Sequence, residues 1–301
     1  MRASFIARAA EWIAGARSVV VSTGAGMSKE SGIPTFRDAL DGLWARYDPT
    51  ELATEAGFRK DPRRVWSWYA YRRRMIERCR PNAGHLALAE MESLVPSLLV
   101  VTQNIDGLHA AAGSTDVVEL HGNIHRVKCL DDGHPFAGPL PSAASAGAST
   151  GGGRFTGGTA EESSLKDTSA GRRSADDAAS ADTVGDVEED PPACPVCGSP
   201  LRPDVVWFGE MLPEAAVERA WAAAGVCDVL LVVGTSGTVW PAAELPNVAK
   251  RGGARVIEVN PEPSELTAAV DLFVQGPAGG VLPALAARLR ELAGTPRPRG
   301  D

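Results

Sequence analysis

No apolar run in this 301-residue chain reaches the roughly 18 residues that a membrane-spanning helix needs, so no such helix is expected. A basic surplus is missing too. With 30 Lys and Arg against 38 Asp and Glu, the net charge is -8, which argues against a protein that coats nucleic acid, because phosphate binding needs a basic face. Cysteine is scarce: five residues, two of them in Cys194-Pro-Val-Cys197, point to metal binding in a reducing compartment rather than to a disulfide framework. Cytoplasmic residence follows as the expectation, and nothing in the chain demands assembly beyond a monomer. Histidine is equally sparse, at five, so the choice of a general base near neutral pH is narrow.

The chain does contain short β-branched runs bounded by turn residues: Ser18–Ser22, Ser97–Thr102, Val229–Val233 and Ala254–Asn260. Helix-patterned segments such as "AGHLALAEMESL" separate them, and this alternation predicts an α/β doubly wound, Rossmann-like parallel sheet. Loops at the carboxyl ends of such strands are where ligands bind. The first residues predict a helix with Phe5, Ile6, Ala9, Trp12 and Ile13 on its buried face. Between 137 and 187 the only large apolar residues are Leu140, Phe155, Leu165, Val184 and Val187, too few to offset chain entropy, so a disordered insert is expected there.

Four strand ends carry polar chemistry. Gly24 and Gly26 in "VSTGAGMS" would let the backbone approach a pyrophosphate with its amides turned to the anion, although the third glycine of a dinucleotide fingerprint is absent. "TQNIDGLH" places Gln103, Asn104, Asp106 and His109 after a buried strand. "VGTSGTV" is a second glycine turn, and "VNPEP" puts Asn260 at a strand end. His121, in "ELHGN", is the candidate base. Each feature alone has a plain turn-chemistry reading; together, at one sheet edge, they indicate a nucleotide site.

The ordered set G24-A-G-M-S-K-E-S-G-I-P-T-F-R37, T102-Q-N-I-D106, H121-G122, C194-P-V-C197, "DVVWFGE", G234-T-S236 and "VNPEP" closely resembles the sirtuins, NAD-dependent protein-lysine deacylases, over nearly the whole chain. The resemblance implies a second, smaller domain made of a helical module and a zinc ribbon. The larger domain would take residues 1–46, 81–126 and 201–295, and the smaller one 47–80 and 127–200. It implies that the nucleotide is consumed, giving nicotinamide, 2′-O-acyl-ADP-ribose and free lysine. His121, Asn104 and Asp106 would be catalytic. Gly24, Ala25, Gly26, Phe36, Arg37, Gln103, Gly234, Thr235, Ser236 and Asn260 would hold NAD with them. Val206, Trp207 and Gly209 would offer a strand edge to an acyl-lysine peptide.

Tyr69 and Arg72 are three apart on a predicted helix, with the small Ala53 upstream. They resemble the pair that, in one sirtuin branch, binds the carboxylate of succinyl- or malonyl-lysine. An exposed basic helix is the plainer reading of Arg72, Arg73 and Arg74. The resemblance also implies one structural zinc. Cys129, Cys194 and Cys197 would be ligands, with Asp132 or His134 the fourth, or else the site has lost its metal. Cys79 and Cys227 read as buried thiols. Plain deacetylation, mono-ADP-ribosylation and a silent NAD-sensing role remain as alternatives to desuccinylation and demalonylation with some deacetylation.

Overall fold

The computed structural model describes residues 2–34, 49–138 and 189–294. Phe36, Arg37 and positions 139–187 of the expected insert lie outside the described residues. The strands are β1 (Val19–Thr23), β2 (Leu98–Thr102), β3 (Val117–Glu119), β4 (Gly122–Cys129), β5 (Pro135–Phe136), β6 (Leu201–Val205), β7 (Val229–Val233), β8 (Arg255–Asn260) and β9 (Leu272–Gln275). The helices are α1 (Arg2–Ala14), α2 (Pro49–Leu52), α3 (Glu55–Lys60), α4 (Pro62–Glu77), α5 (Ala83–Glu92), α6 (Leu108–Ala111), α7 (Glu214–Val226), α8 (Leu245–Arg251) and α9 (Ala278–Gly294).

Six strands pair in the order β3-β2-β1-β7-β8-β9, all parallel. Every residue of β1, β2 and β7 is buried, as expected for strands covered on both faces. Alternation along β1 divides the core. Val19 and Val21 join α1, α5 and α9 through Ile13, Leu88 and Leu285, while Val20 joins α7 and α8 through Ala220, Leu245 and Ala249. Four strands fall within a residue of the runs expected from sequence. β3 and β9 are additional; they are edge strands of three and four residues, too short for periodicity to reveal. On α1 the buried residues are Ala9, Ala10 and Ile13, whereas Phe5 is exposed. Trp12 sits at the rim beneath the guanidinium groups of Arg8 and Arg255, so the expected apolar face is only half used.

A second sheet, β5-β4-β6, is antiparallel. Its apolar face shares one core with α2 to α4, built from Leu52, Phe58, Trp66, Trp68, Tyr69, Ile124, Leu201 and Trp207. The starts of these helices are written locally: Thr54 accepts from the Gly57 amide, and Asp61, followed by Pro62, accepts from that of Arg64. Because β4 runs from Gly122 and β6 from Leu201 to Val205, the division expected at 126/127 and 200/201 cuts through this small sheet instead of bordering it.

Candidate active site

In chain order the six-stranded sheet reads 3-2-1-4-5-6, so the strand order reverses between β1 and β7. The crevice above such a reversal is where doubly wound sheets bind nucleotides. Here the turns after β1 and β7 meet backbone to backbone. The Gly24 amide donates to the Val233 carbonyl at 3.0 Å and the Gly26 amide to that of Gly234 at 2.8 Å. A Cβ on Gly26 would stand 2.8 Å from the Gly234 Cα, and Gly234 itself has φ +61. These glycines are therefore required by contact between two turns. The sequence-based expectation that the amides of Gly24 and Gly26 face an anion does not hold for these two donors, because other carbonyls engage them. Ala25 is exposed at the lip.

Beside this contact, the residues after β2 form a polar network. Asn104 Nδ2 donates to the Gly24 carbonyl and to Ser28 Oγ, both at 3.1 Å. Ser28 Oγ in turn donates to Asp106 Oδ2 at 2.7 Å, and Asp106 Oδ1 accepts the Leu108 amide at 2.9 Å. Since Ser28 gives its proton to Asp106, the 3.5 Å contact from His85 Nε2 must be a donation to Ser28. His85 Nδ1 then accepts the Asn82 amide, which closes a capping box on α5. Thr23 Oγ1 donates to Thr102 Oγ1 at 2.8 Å and receives His109 Nε2 at 2.9 Å; Thr102 Oγ1 also accepts the Asn104 amide at 3.0 Å. Burial lowers His85 to about 4 and His109 to about 3, so both imidazoles are neutral. Ser28 and His85 were not singled out from sequence: Ser28 lies within the glycine-rich stretch, and His85 is a lone histidine on an apolar helix.

Gln103 Nε2 reaches Thr235 Oγ1 at 3.4 Å, and Ser236 Oγ lies 2.7 Å from Thr238 Oγ1. Asn260 Nδ2 donates both to the Thr235 carbonyl at 2.8 Å and to the buried Glu258 carboxylate at 3.2 Å, which leaves Oδ1 as the side chain's acceptor. Thus Gln103, Asn104, Asp106, Gly234, Thr235, Ser236 and Asn260 occupy one edge of the sheet.

His121 follows β3 and is half-buried. Its Nδ1 lies 2.9 Å from the Gln103 carbonyl, an acceptor only, so Nδ1 carries the proton and Nε2 presents a lone pair. Burial holds its pKa below the ordinary value, only partly opposed by the Gln103 carbonyl. A neutral imidazole with a defined lone pair is what a general base requires.

The amides of Val206, Trp207 and Phe208 donate to the His121 carbonyl, to Glu210 Oε2 and to the Ala53 carbonyl, each at 2.9 Å. They are not the open strand edge expected at 206–209, because β6 ends at Val205 and the segment after it turns back on itself. Gly209, in the same turn, has φ +87 and open space at its Cβ position. Tyr69 and Arg72 do share a face of α4. Tyr69 is buried, its hydroxyl accepts Trp207 Nε1 at 2.9 Å, and the Arg72 guanidinium lies over the Trp68 and Tyr69 rings at 4.8 and 5.9 Å. Burial raises the Tyr69 pKa, so the phenol keeps its proton. Ala53, beside Phe208, is buried with this group.

Cys129, His134, Cys194 and Cys197 bring their ligand atoms within 4.8 Å of one another. Cys129 and Cys197 Sγ are 3.4 Å apart, and His134 Nδ1 is 3.8 Å from Cys194 Sγ. Those lengths lie within about half an ångström of the ligand–ligand edges of a zinc tetrahedron, roughly 3.8 Å for two sulfurs at ~2.3 Å from the metal. The donor set fits one structural zinc. Of the two candidates for a fourth ligand, His134 is the one grouped with the three cysteines, and the Asp132 carboxylate lies 3.9 Å from His134 Nδ1.

A reversed parallel sheet, polar strand ends gathered at the reversal and a neutral imidazole beside them define a dinucleotide-binding enzyme of the doubly wound class. Comparison with known proteins makes this specific. The Sir2 family model matches residues 24–241. A Ralstonia nicotianae protein named NAD-dependent protein deacylase is 48% identical over 281 residues, covering 93% of this chain and 96% of that protein. A crystal structure of a Sir2 homolog–NAD complex superposes with a TM-score of 0.76 at 38% identity, covering 95% of this chain and 94% of the other. A Sir2 protein bound to a myristoylated histone peptide gives 0.65 at 32% identity, covering 96% and 98%. The chain belongs to the Sir2 family.

Proposed function

We infer that this Sir2-family enzyme, an NAD-dependent protein deacylase, works best on lysines that carry acidic acyl groups, succinyl and malonyl. NAD, when bound, supplies an electrophilic ribose carbon and receives the acyl group, so that nicotinamide, 2′-O-acyl-ADP-ribose and free lysine result. The chain's own residues orient and move protons. Asn104 and Asp106, tied together through Ser28, would hold the nicotinamide end of the crevice. Gln103, Ser236 and Asn260 would hold the riboses, and Asn260 Oδ1 can accept from a hydroxyl. His121 Nε2 would take a proton from a ribose hydroxyl, while Nδ1 stays anchored to the Gln103 carbonyl. Phe36 and Arg37 complete this reading from the sequence alone. Zinc, on its cysteine and histidine ligands, would fix the ribbon and take no part in the chemistry. The relative that binds an acylated histone peptide supports acyl-lysine peptides as the substrate class. Cysteines without disulfide partners suit a reducing compartment such as the cytoplasm.

The observation that carries the acidic preference is the Tyr69 hydroxyl and Arg72 guanidinium on one face of α4, beside the 206–210 turn. A guanidinium and a phenol suit a carboxylate and give an acetyl methyl nothing. The test compares one peptide acylated with acetyl, succinyl or malonyl, using the unaltered enzyme and Arg72→Met. The expected loss is at least ~10-fold in kcat/KM for the acidic groups, the size of one charged hydrogen bond, with deacetylation nearly unchanged. Equal losses on all three would leave a plain deacetylase.

A further inference from the structure

An indole N–H can only donate, whereas a phenol oxygen has one proton and two lone pairs. The 2.9 Å bond from Trp207 Nε1 therefore fills an acceptor site on Tyr69 and leaves the Tyr69 proton to be given elsewhere. Donation into the phenol oxygen also polarises its O–H, making it a stronger donor to whatever acceptor arrives. Trp207 is unusually well held for a residue in a turn after a strand. Its ring lies 3.4 Å beneath the Arg202 guanidinium and 5.4 Å from the Phe58 ring. Arg202 is buried and forked onto Glu210, with Nη2 to Oε2 at 3.0 Å and Nη1 to Oε1 as the second bond; Nη2 also donates to the Val205 carbonyl at 2.8 Å. Glu210 Oε2 then accepts the Trp207 amide. One ion pair thus fixes both the face of the indole and its backbone. Tyr69 also meets the edge-on Trp68 ring at 4.7 Å. None of this is needed to bind an acetyl group, which offers nothing for a phenol proton beyond the reacting amide.

We propose that Trp207, clamped by Arg202 and Glu210, is a positioning residue that sets Tyr69 as a donor toward the acyl carboxylate and thereby contributes to acyl-group selectivity. The proposal rests on the acidic-acyl reading above. Trp207 needs no contact with the substrate to act, because its effect passes through the phenol.

The test uses a double-mutant cycle on the full-length enzyme: unaltered, Trp207→Phe, Tyr69→Phe and the pair, each assayed on one peptide bearing acetyl- or succinyl-lysine. The readout is the ratio of kcat/KM for the two acyl groups, which a general loss of packing does not change. Trp207→Phe should lower the succinyl-to-acetyl ratio by about tenfold, mainly through the KM of the succinyl peptide. Adding it to Tyr69→Phe should lower the ratio no further. If Trp207→Phe lowers both activities alike, or if the two ratio losses simply multiply, the proposal is overturned while the acidic-acyl reading stands. If the unaltered enzyme does not favour succinyl over acetyl, that reading falls and the proposal falls with it. Should Trp207→Phe fail to fold, benzothienylalanine at position 207, with sulfur in place of N–H, poses the same question with the ring's shape retained.

Discussion

At the scale of single residues, His121 shows how a hydrogen bond chooses chemistry. The Gln103 carbonyl fixes the proton on Nδ1, and burial keeps the ring neutral below its ordinary pKa. His121→Ala should abolish deacylation while leaving NAD affinity, measured by titration calorimetry, within a few fold. A base acts in its neutral form, and the neutral form of His121 persists to lower pH than for a free imidazole. The acid limb of the kcat/KM profile should therefore fall below pH ~6.5, with activity lost as pH drops through it. A limb displaced to alkaline pH would remove His121 from the role. The histidine itself was legible in the sequence as one of five, but its tautomer was not, because the deciding carbonyl lies 18 residues away.

Among the elements, the β4–β5 hairpin bears on the fourth metal ligand that the sequence left open. Val127 pairs with Phe136 and Lys128 with Pro135, and the Cys129 amide continues the ladder to the His134 carbonyl at 2.8 Å. That register sets His134 beside Cys129, with Asp132 in the intervening turn and its carboxylate 3.9 Å from His134 Nδ1. Spacing alone could not choose between two donors two residues apart. Metal analysis should find about one zinc per chain, lost in His134→Ala. Because Cys129 and Cys194 belong to the same core as Tyr69 and Trp207, chelation should lower the melting temperature and raise the peptide KM together. A chelated protein with unchanged melting and unchanged KM would mean that the ribbon stands without metal. The two glycine turns teach a related lesson: their glycines were visible, but the partner each one needed was the other turn.

For the whole molecule, acid should be the weak flank. His85 and His109 are neutral in the fold, with pKa values of about 4 and about 3, and would titrate near 6.5 in the unfolded chain. Between those values the unfolded state binds more protons, so this contribution is fully present above pH ~6.5 and is lost as pH falls, by on the order of 1 kcal/mol per pH unit for each imidazole. Urea denaturation between pH 7 and pH 4.5 should show that slope, reduced in His85→Asn. Stability that stays flat across the range would contradict the burial of two neutral histidines. By itself the sequence determined the alternating strands and helices, the polar strand ends, the three cysteines and the Tyr69–Arg72 spacing. Each of these is a local pattern of side-chain period or turn chemistry. Only the tertiary structure decided that Trp207 meets Tyr69 across 138 residues, that Gly26 abuts Gly234, and that His134 gathers with the three cysteines. Such pairings depend on how layers pack and strands register, and no short stretch of sequence carries that information.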